Sequence, residues 1–464
     1  MDEQRRPART IRLSRRKMLV VAGGGVAAVA SVTALYRGLA SLSPPPLRGG
    51  PPKRGYPIGQ YQIAEYGVRT APDPESAVQV DIPPVWSLVI TALLAHPPTL
   101  AGRQRLEAAL RAVEAAYPYA PSGVFMVMGY GLPFFRAHVR PQTFAAHLPR
   151  MADTGMPALL DAIAFPSDPA TLKLEANDVV LHLRSDTLDH LHDVQHALFG
   201  RSGTLAGRRA PDADLTGLLS VTSVRSGFVG RGLPRHMAKQ AHLAVADQIP
   251  EAAPLFMGFT SSQHNGQAHE EAVSFDGRRH PLLAPLTTAL PTDYFAGGTT
   301  MHLSHLTENL DAWYAISYNE RLARMFDSGA VSREGRVTVE TAWLNPNPAE
   351  VHASQTGIIG HNEAIQRGSR SPEGQALQMR ADFNTMDALD GQPPAPGVHF
   401  VAFTAGSQIF HQSRLAMDGV DITEKHTLQA HGNGINDFIQ AMRRQNFLVP
   451  PRAHRAFPLI EIDK

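Results

Sequence analysis

The sequence predicts an α+β protein: two tandem ferredoxin-like domains of the dimeric α/β-barrel type, packed sheet to sheet. Length is the first reason, since 464 residues, 43% apolar and 18% charged, supply a sizeable core but exceed what one ordinary core holds. The second is a strand–helix–strand–strand–helix rhythm that sets in near Val78. The third is a second pass of similar rhythm from Thr299 onward. These place a first domain over residues 78–230 and a second over 231–464.

The elements follow in order. "VQVDIPPVWSLVITALL" reads as a strand, and in "RQRLEAALRAVEAAYP" Leu106, Leu110, Val113 and Ala116 recur at helical spacing. "GVFMVMGYGLPFF" (Gly123 to Phe135) reads as a buried strand closed by a glycine turn. Val179 to Leu183 is a further strand, followed by a helix with Ser185 or Asp186 as its cap. In the second half, Thr299 to Leu306 is a strand and "NLDAWYAISYNERLARMF" a helix with Trp313 on its apolar stripe. Gly397 to Phe410 reads as a strand pair, and "NGINDFIQAMRR" as a late helix. Val331 to Gly391 lacks a clear period, and so long a loop usually covers a site or an interface.

The N-terminus carries its own message. "RLSRRKMLVVAGGGVAAVASVTALYRGLAS" joins a basic region, an apolar core from Met18 to Leu35 and a small-residue exit near Gly38-Leu39-Ala40. With Ser14-Arg15-Arg16, it reads as a twin-arginine export signal over residues 1–42, ahead of a Pro/Gly-rich tether over 43–77. A single membrane anchor is the competing reading, in which an uncleaved signal is the membrane contact. Export leaves the extracellular space, the periplasm or the cell envelope as the destination. Twin-arginine export carries folded chains, often with a cofactor already inserted.

Composition narrows the chemistry. Cysteine is absent, which excludes disulfides, thiolate zinc and thiol nucleophiles, and twenty-one histidines remain as candidate ligands. Residues 1–40 hold eight Lys/Arg against Asp2 and Glu3, so the formal +1 becomes about −5 over the rest, which argues against nucleic acid. No serine-hydrolase elbow, phosphate loop or dinucleotide fingerprint occurs, and "GFVGRG" (Gly227 to Gly232) lacks the helix cap that phosphate would need.

Several segments resemble the dye-decolourising peroxidases, exported haem proteins built from two such halves. "VFMVMGYGLPFF" resembles that family's first-half strand and turn. "GLPRHM" with "LFMGFTSSQHN" resembles the segment that crosses the distal face of the haem. "GGTTMHLSHLTENLDAW" resembles the family's strand–helix without a gap, and "MRADFNTMD", "GVHFVAFTAGSQIFHQSRLA" and "INDFI" resemble its C-terminal signature. The resemblance implies haem b as cofactor, with hydrogen peroxide and a small-molecule reductant as partners and a homo-oligomer open. It places His361 as axial ligand to the iron, with Arg367 and Arg370 to pair the propionates and His352 as runner-up ligand. Asp387 or Asp390 would hold the ligand's other nitrogen.

On the distal side the pattern breaks. Ser261 stands at the position of the family's acid and Ser304 at that of its arginine, so proton transfer and positive charge both lose their usual carriers. His302 lies two residues from Ser304 and shares its face, while Leu303 and His305 face the other way. His264 and His269 sit on the neighbouring loop. Either a histidine replaces the lost base, or His264, His269 and His302, with Glu270, hold a non-haem metal such as copper, zinc or iron, or these are pocket-lining histidines with ordinary partners. His192 and His196, at chelating spacing beside His190, read as an exposed helix face. Three functions follow: a secreted peroxidase with altered distal residues, an exported protein that kept the fold for binding without catalysis, and a non-haem metal protein.

Overall fold

The computed structural model describes residues 32–41, 62–63, 69–72, 79–259, 266–276, 283–326, 353–388, 392–420 and 428–463. A helix α1 spans residues 32–41. The first pass then runs β1 (Trp86–Leu94), α2 (Leu100–Ala116), β2 (Phe125–Gly131), β3 (Val179–Ser185), α3 (Leu188–Phe199) and β4 (Leu219–Phe228). The second runs β5 (Thr299–Glu308), α4 (Leu310–Ala315), α5 (Tyr318–Met325), α6 (His361–Gly368), β6 (Phe383–Thr385), β7 (Gly397–Thr404), α7 (Ser407–Met417) and β8 (Ile439–Val449).

Both passes order their strands alike, β4-β1-β3-β2 in the first and β8-β5-β7-β6 in the second, with every neighbour antiparallel. Two seams join them edge to edge. At one, Tyr130 and Gly131 of β2 pair with Leu448 and Phe447 of β8; at the other, Phe228 of β4 pairs with Asn384 of β6. The eight strands therefore close into one barrel, where two sheets packed face to face were expected. Closure removes the sheet edges, and an eight-stranded interior is narrow enough for side chains to fill.

Helices cover the outside. α2 starts at Thr99, whose hydroxyl accepts from the Gly102 N–H at 3.0 Å, and buries Leu106, Ala109, Leu110 and Val113. α3 buries Leu191, Val194 and Leu198 against β1 and β3, and α7 lies on β5 and β7. The narrower seam needs Gly227: a Cβ there would strike the Asn384 carbonyl and the Phe383 ring. Gly368 does the same service between helices, its missing Cβ leaving room for the Ser413 backbone of α7.

Four expectations are corrected. The apolar run before Leu94 is not one strand, because Pro83-Pro84 separates β1 from Gln79–Ile82, which pairs with Arg69–Pro72. Gly397 to Phe410 is a strand and a helix start, Ala405-Gly406 breaking the run. The late helix is instead the strand β8: Phe438, Ile439 and Met442 mimic helical spacing, while the barrel-facing residues Arg443 and Gln445 disguise the period-2 pattern. The described part of the 331–391 stretch carries α6 and β6.

Candidate functional site

His302 and Ser304 share the face of β5 that α7 covers. The His302 ring stacks on Phe410 of α7, with centroids 3.3 Å apart and planes at 15°. Its Nδ1 lies 2.7 Å from Asn446 Oδ1 and its Nε2 2.6 Å from Ser304 Oγ. Asn446 Nδ2 donates to the Leu160 carbonyl at 3.0 Å, which fixes the amide with its oxygen toward the imidazole. Nδ1 therefore carries the proton, and the Ser304 hydroxyl donates to Nε2. Burial and the nearby Arg444 push the His302 pKa well below its ordinary value, so the ring stays neutral.

Ser304 is also bound from the neighbouring strand. Arg444 stands directly opposite it on β8 and donates from Nε to its Oγ at 3.2 Å. The guanidinium bonds Asp168 at 2.5 and 3.0 Å and the Ile163 carbonyl at 2.7 Å, with the Phe165 ring 4.8 Å from its carbon. Asp168 is shared with Arg414 of α7 at 3.7 Å, and Arg414 pairs Asp418 at 2.6 Å. One buried network thus runs from Asn446 through His302, Ser304, Arg444 and Asp168 to Arg414 and Asp418.

A hydroxyl on an imidazole whose far nitrogen is held by a third group is the arrangement that activates nucleophilic serines. Here it is sealed. His302 and Ser304 are each 2% exposed, Arg444 is 1% exposed, and Phe410 covers the ring. The chain of groups satisfies buried polar atoms and presents no hydroxyl to solvent.

The opposite face of β5 turns into the barrel. His305 lies opposite His399 of β7, their rings 4.2 Å apart, and His399 Nε2 is 2.8 Å from Asp387 Oδ2. Arg225 on β4 and Arg443 on β8 share Glu175 at 2.5 and 3.3 Å. Burial holds His182, His305 and His399 well below the usual histidine range and raises Asp387 to about 6. Sequence reasoning missed this interior, although His305 shares its face with Leu303 and His399 with Val401, a polar residue beside an apolar one on each strand.

His361 opens α6, half-buried at the first helical position after Gly360. Its Nδ1 is buried without a hydrogen-bond partner among the described residues, and burial, with Arg380 and Arg414 nearby, lowers its pKa to about 3. Arg367 lies in the last turn of α6, and Arg370 donates to the Gly374 carbonyl at 2.8 Å. Asp387 serves His399, Ser226 N–H and Tyr36 and does not back His361. Ser261, His264, His352 and Asp390 lie outside the described residues.

The non-haem metal reading is not supported where it can be checked. Among the described residues no group of three His, Asp or Glu could hold a metal ion. Both nitrogens of His302 are engaged, and His269 is exposed ahead of the short helix Glu270–Val273. On α3 His196 is exposed, as expected, but His190 and His192 are half-buried, His190 packing on Tyr117 at 4.7 Å.

Comparison with known proteins fixes the family. A family model described as a family of unknown function, DUF7405, matches residues 84–451. The chain belongs to this family. No curated protein matches it. Solved structures similar to this DUF7405 protein include the encapsulated DyP-type peroxidase from Mycobacterium smegmatis, at 14% identity and TM-score 0.49, covering 83% of this chain and 98% of that one. DyPB from Rhodococcus jostii is similar at 14% identity and TM-score 0.48, over 81% and 96% of the two chains. A dye-decolorizing protein from V. cholerae is similar at 13% identity and TM-score 0.43, over 80% and 95%.

Does the site fit a haem? At the start of α6, His361 offers a neutral imidazole whose Nδ1 has no hydrogen-bond partner among the described residues, which a ligand nitrogen needs. The sheet face does not fit. Phe410 lies in van der Waals contact on His302, Ser304 is bound to His302 and Arg444, and Arg444 is bound to Asp168. The cavity that Asn446 lines measures 170 Å³, under the roughly 300–1,000 Å³ of ligand pockets. A larger hollow of 620 Å³ is lined by Leu35, Gln240, Met386 and Pro393, without His302 or His361.

Proposed function

We propose that this DUF7405 protein is an exported binding protein that kept the barrel of the dye-decolourising peroxidases, each half ferredoxin-like, and gave up peroxide chemistry. The carrying observation is the closure of the sheet face: His302 stacked under Phe410 and Ser304 held by Arg444 leave no place for peroxide over an iron. Its residues there act as one neutralised network. Arg444 is spent on Asp168, and the proton of His302 is held by Asn446. Among the described residues, neither a mobile acid nor an unpaired cation faces this space.

The unpartnered Nδ1 of His361 favours a second reading, a haem bound on the α6 side by His361 with Arg367 and Arg370 at the propionates. A haem bound there would supply an iron centre. The chain's own part would be to present a neutral imidazole and two guanidinium groups.

Hemin titration of the full chain separates the readings. The proposal expects no Soret shift that depends on His361 and no peroxide-dependent dye oxidation. A Soret band abolished in His361→Ala but kept in His352→Ala, without turnover, supports the second reading. A band with sustained turnover of phenol or dye sinks the proposal.

A further inference from the structure

The helix α1 lies inside the stretch that the sequence assigns to a disposable export signal, yet it is built into the barrel. Val32, Tyr36 and Leu39 are buried at 8%, 3% and 0% exposure. The Tyr36 ring meets Trp86 of β1 and Phe228 of β4 edge-on, with centroids at 6.3 and 6.4 Å. Its hydroxyl donates to the Ser226 carbonyl of β4 at 2.9 Å and accepts from the Met386 N–H, just past β6, at 2.8 Å. Thr385 Oγ1 lies 3.1 Å away. Gly38 packs so closely on the Gln240 side chain that a Cβ would stand 2.9 Å from its amide nitrogen.

These contacts fall on one place, the seam between β4 and β6. That seam pairs a single residue couple, Phe228 with Asn384, whereas its counterpart pairs two. Tyr36 bridges the strands on either side of it and supplies the hydrogen bonds that the short ladder lacks.

We infer that α1 is a permanent clasp of the mature barrel, and that any processing of the N-terminus falls upstream of Tyr36 and not at Gly38-Leu39-Ala40. Cutting at the small-residue exit would strip the seam of Tyr36 and uncover Trp86 and Phe228. The docked helix also bears on anchoring. With residue 32 onward on the barrel, the apolar run from Met18 keeps fourteen residues, about 21 Å as helix, against a bilayer core of about 30 Å. A full membrane span and a docked α1 exclude each other.

The intact mass of the full chain, recovered from the exported fraction of a host competent in twin-arginine transport, gives the first test. Every exported form should still contain Tyr36; a mature chain beginning after Tyr36 overturns the inference. Hydrogen exchange on the unprocessed chain gives a test that does not depend on export. The amides of residues 36–41 should be protected to the degree of β4. Exchange as fast as in an unstructured peptide overturns the inference.

Discussion

Arg444→Met separates a structural role for the network from a catalytic one. The guanidinium is 1% exposed and bonds Asp168 twice, the Ile163 carbonyl once and Ser304 once. Methionine matches its length but leaves the Asp168 carboxylate with only the Phe165 N–H at 2.7 Å and a distant Arg414 at 3.7 Å. Breaking a buried pair by removing one partner costs about 3–5 kcal/mol, because the remaining charge has no water and a poor partner. For a chain of this size that lowers Tm by roughly 3–6 °C. Arg444→Met with Asp168→Leu removes both charges, so the double variant should be more stable than the sum of the single losses, by about 2 kcal/mol. Urea denaturation of the four proteins gives the cycle. A loss below about 1 kcal/mol in Arg444→Met, with additive singles, would refute the reasoning and leave Arg444 available for chemistry.

Three further outcomes follow from the same structure. His182, His302, His305 and His399 are held neutral by burial, while burial raises Asp387 to about 6 and Glu308 to about 8. Below the unfolded histidine value near 6.5 the unfolded chain takes up protons on these rings that the fold refuses. His361 and His411, held down to about 3 and about 4, add to this; the two carboxyls work in the opposite sense, and the net of about 3–4 protons removes about 5 kcal/mol between pH 6 and pH 5. Urea midpoints at the two pH values check this, and a flat or rising stability toward acid contradicts it. A fluorophosphonate probe should leave Ser304 unlabelled in the native protein, since His302, its base, lies sealed under Phe410; labelling that disappears in Ser304→Ala would show an open site. Tyr36→Phe orphans the Met386 N–H and should cost about 1–3 kcal/mol by thermal melting, whereas an unchanged melt would show that the hydroxyl carries nothing.

The helices and the outward-facing apolar strands were legible in sequence because they follow a single period: Leu106, Leu110 and Val113 repeat as a helix must, and Val179 to Leu183 runs apolar. The barrel's inner face was harder to read. Closure of eight strands buries His305 and His399 beside the half-buried Arg443, so polar residues stand where a sandwich would place leucine, and β8 lost its alternation. That His302 and Ser304 share a face was readable from their spacing, and their mutual hydrogen bond bears it out. Arg444 was invisible for a different reason. Its link to Ser304 is made across a strand pair, and register between strands 140 residues apart is written in no local pattern.

The position of Arg444 also recasts what the serine at position 304 means. Along β5 alone, Ser304 stands where the resemblance led us to expect an arginine. Read across the ladder, a guanidinium still stands at that spot, brought in from β8 and resting on the small hydroxyl. A bulky side chain at 304 would collide with it, so the serine and Arg444 are one solution to filling the space. That guanidinium is not a free cation. Asp168 and Asp418 neutralise Arg444 and Arg414 within the same network, and two charges already paired in a dry site cannot also stabilise a developing oxyanion without breaking those pairs. On the proposed function, a peroxide site on this face would require removing Asp168 and Phe410, which would turn a stable core into a cavity.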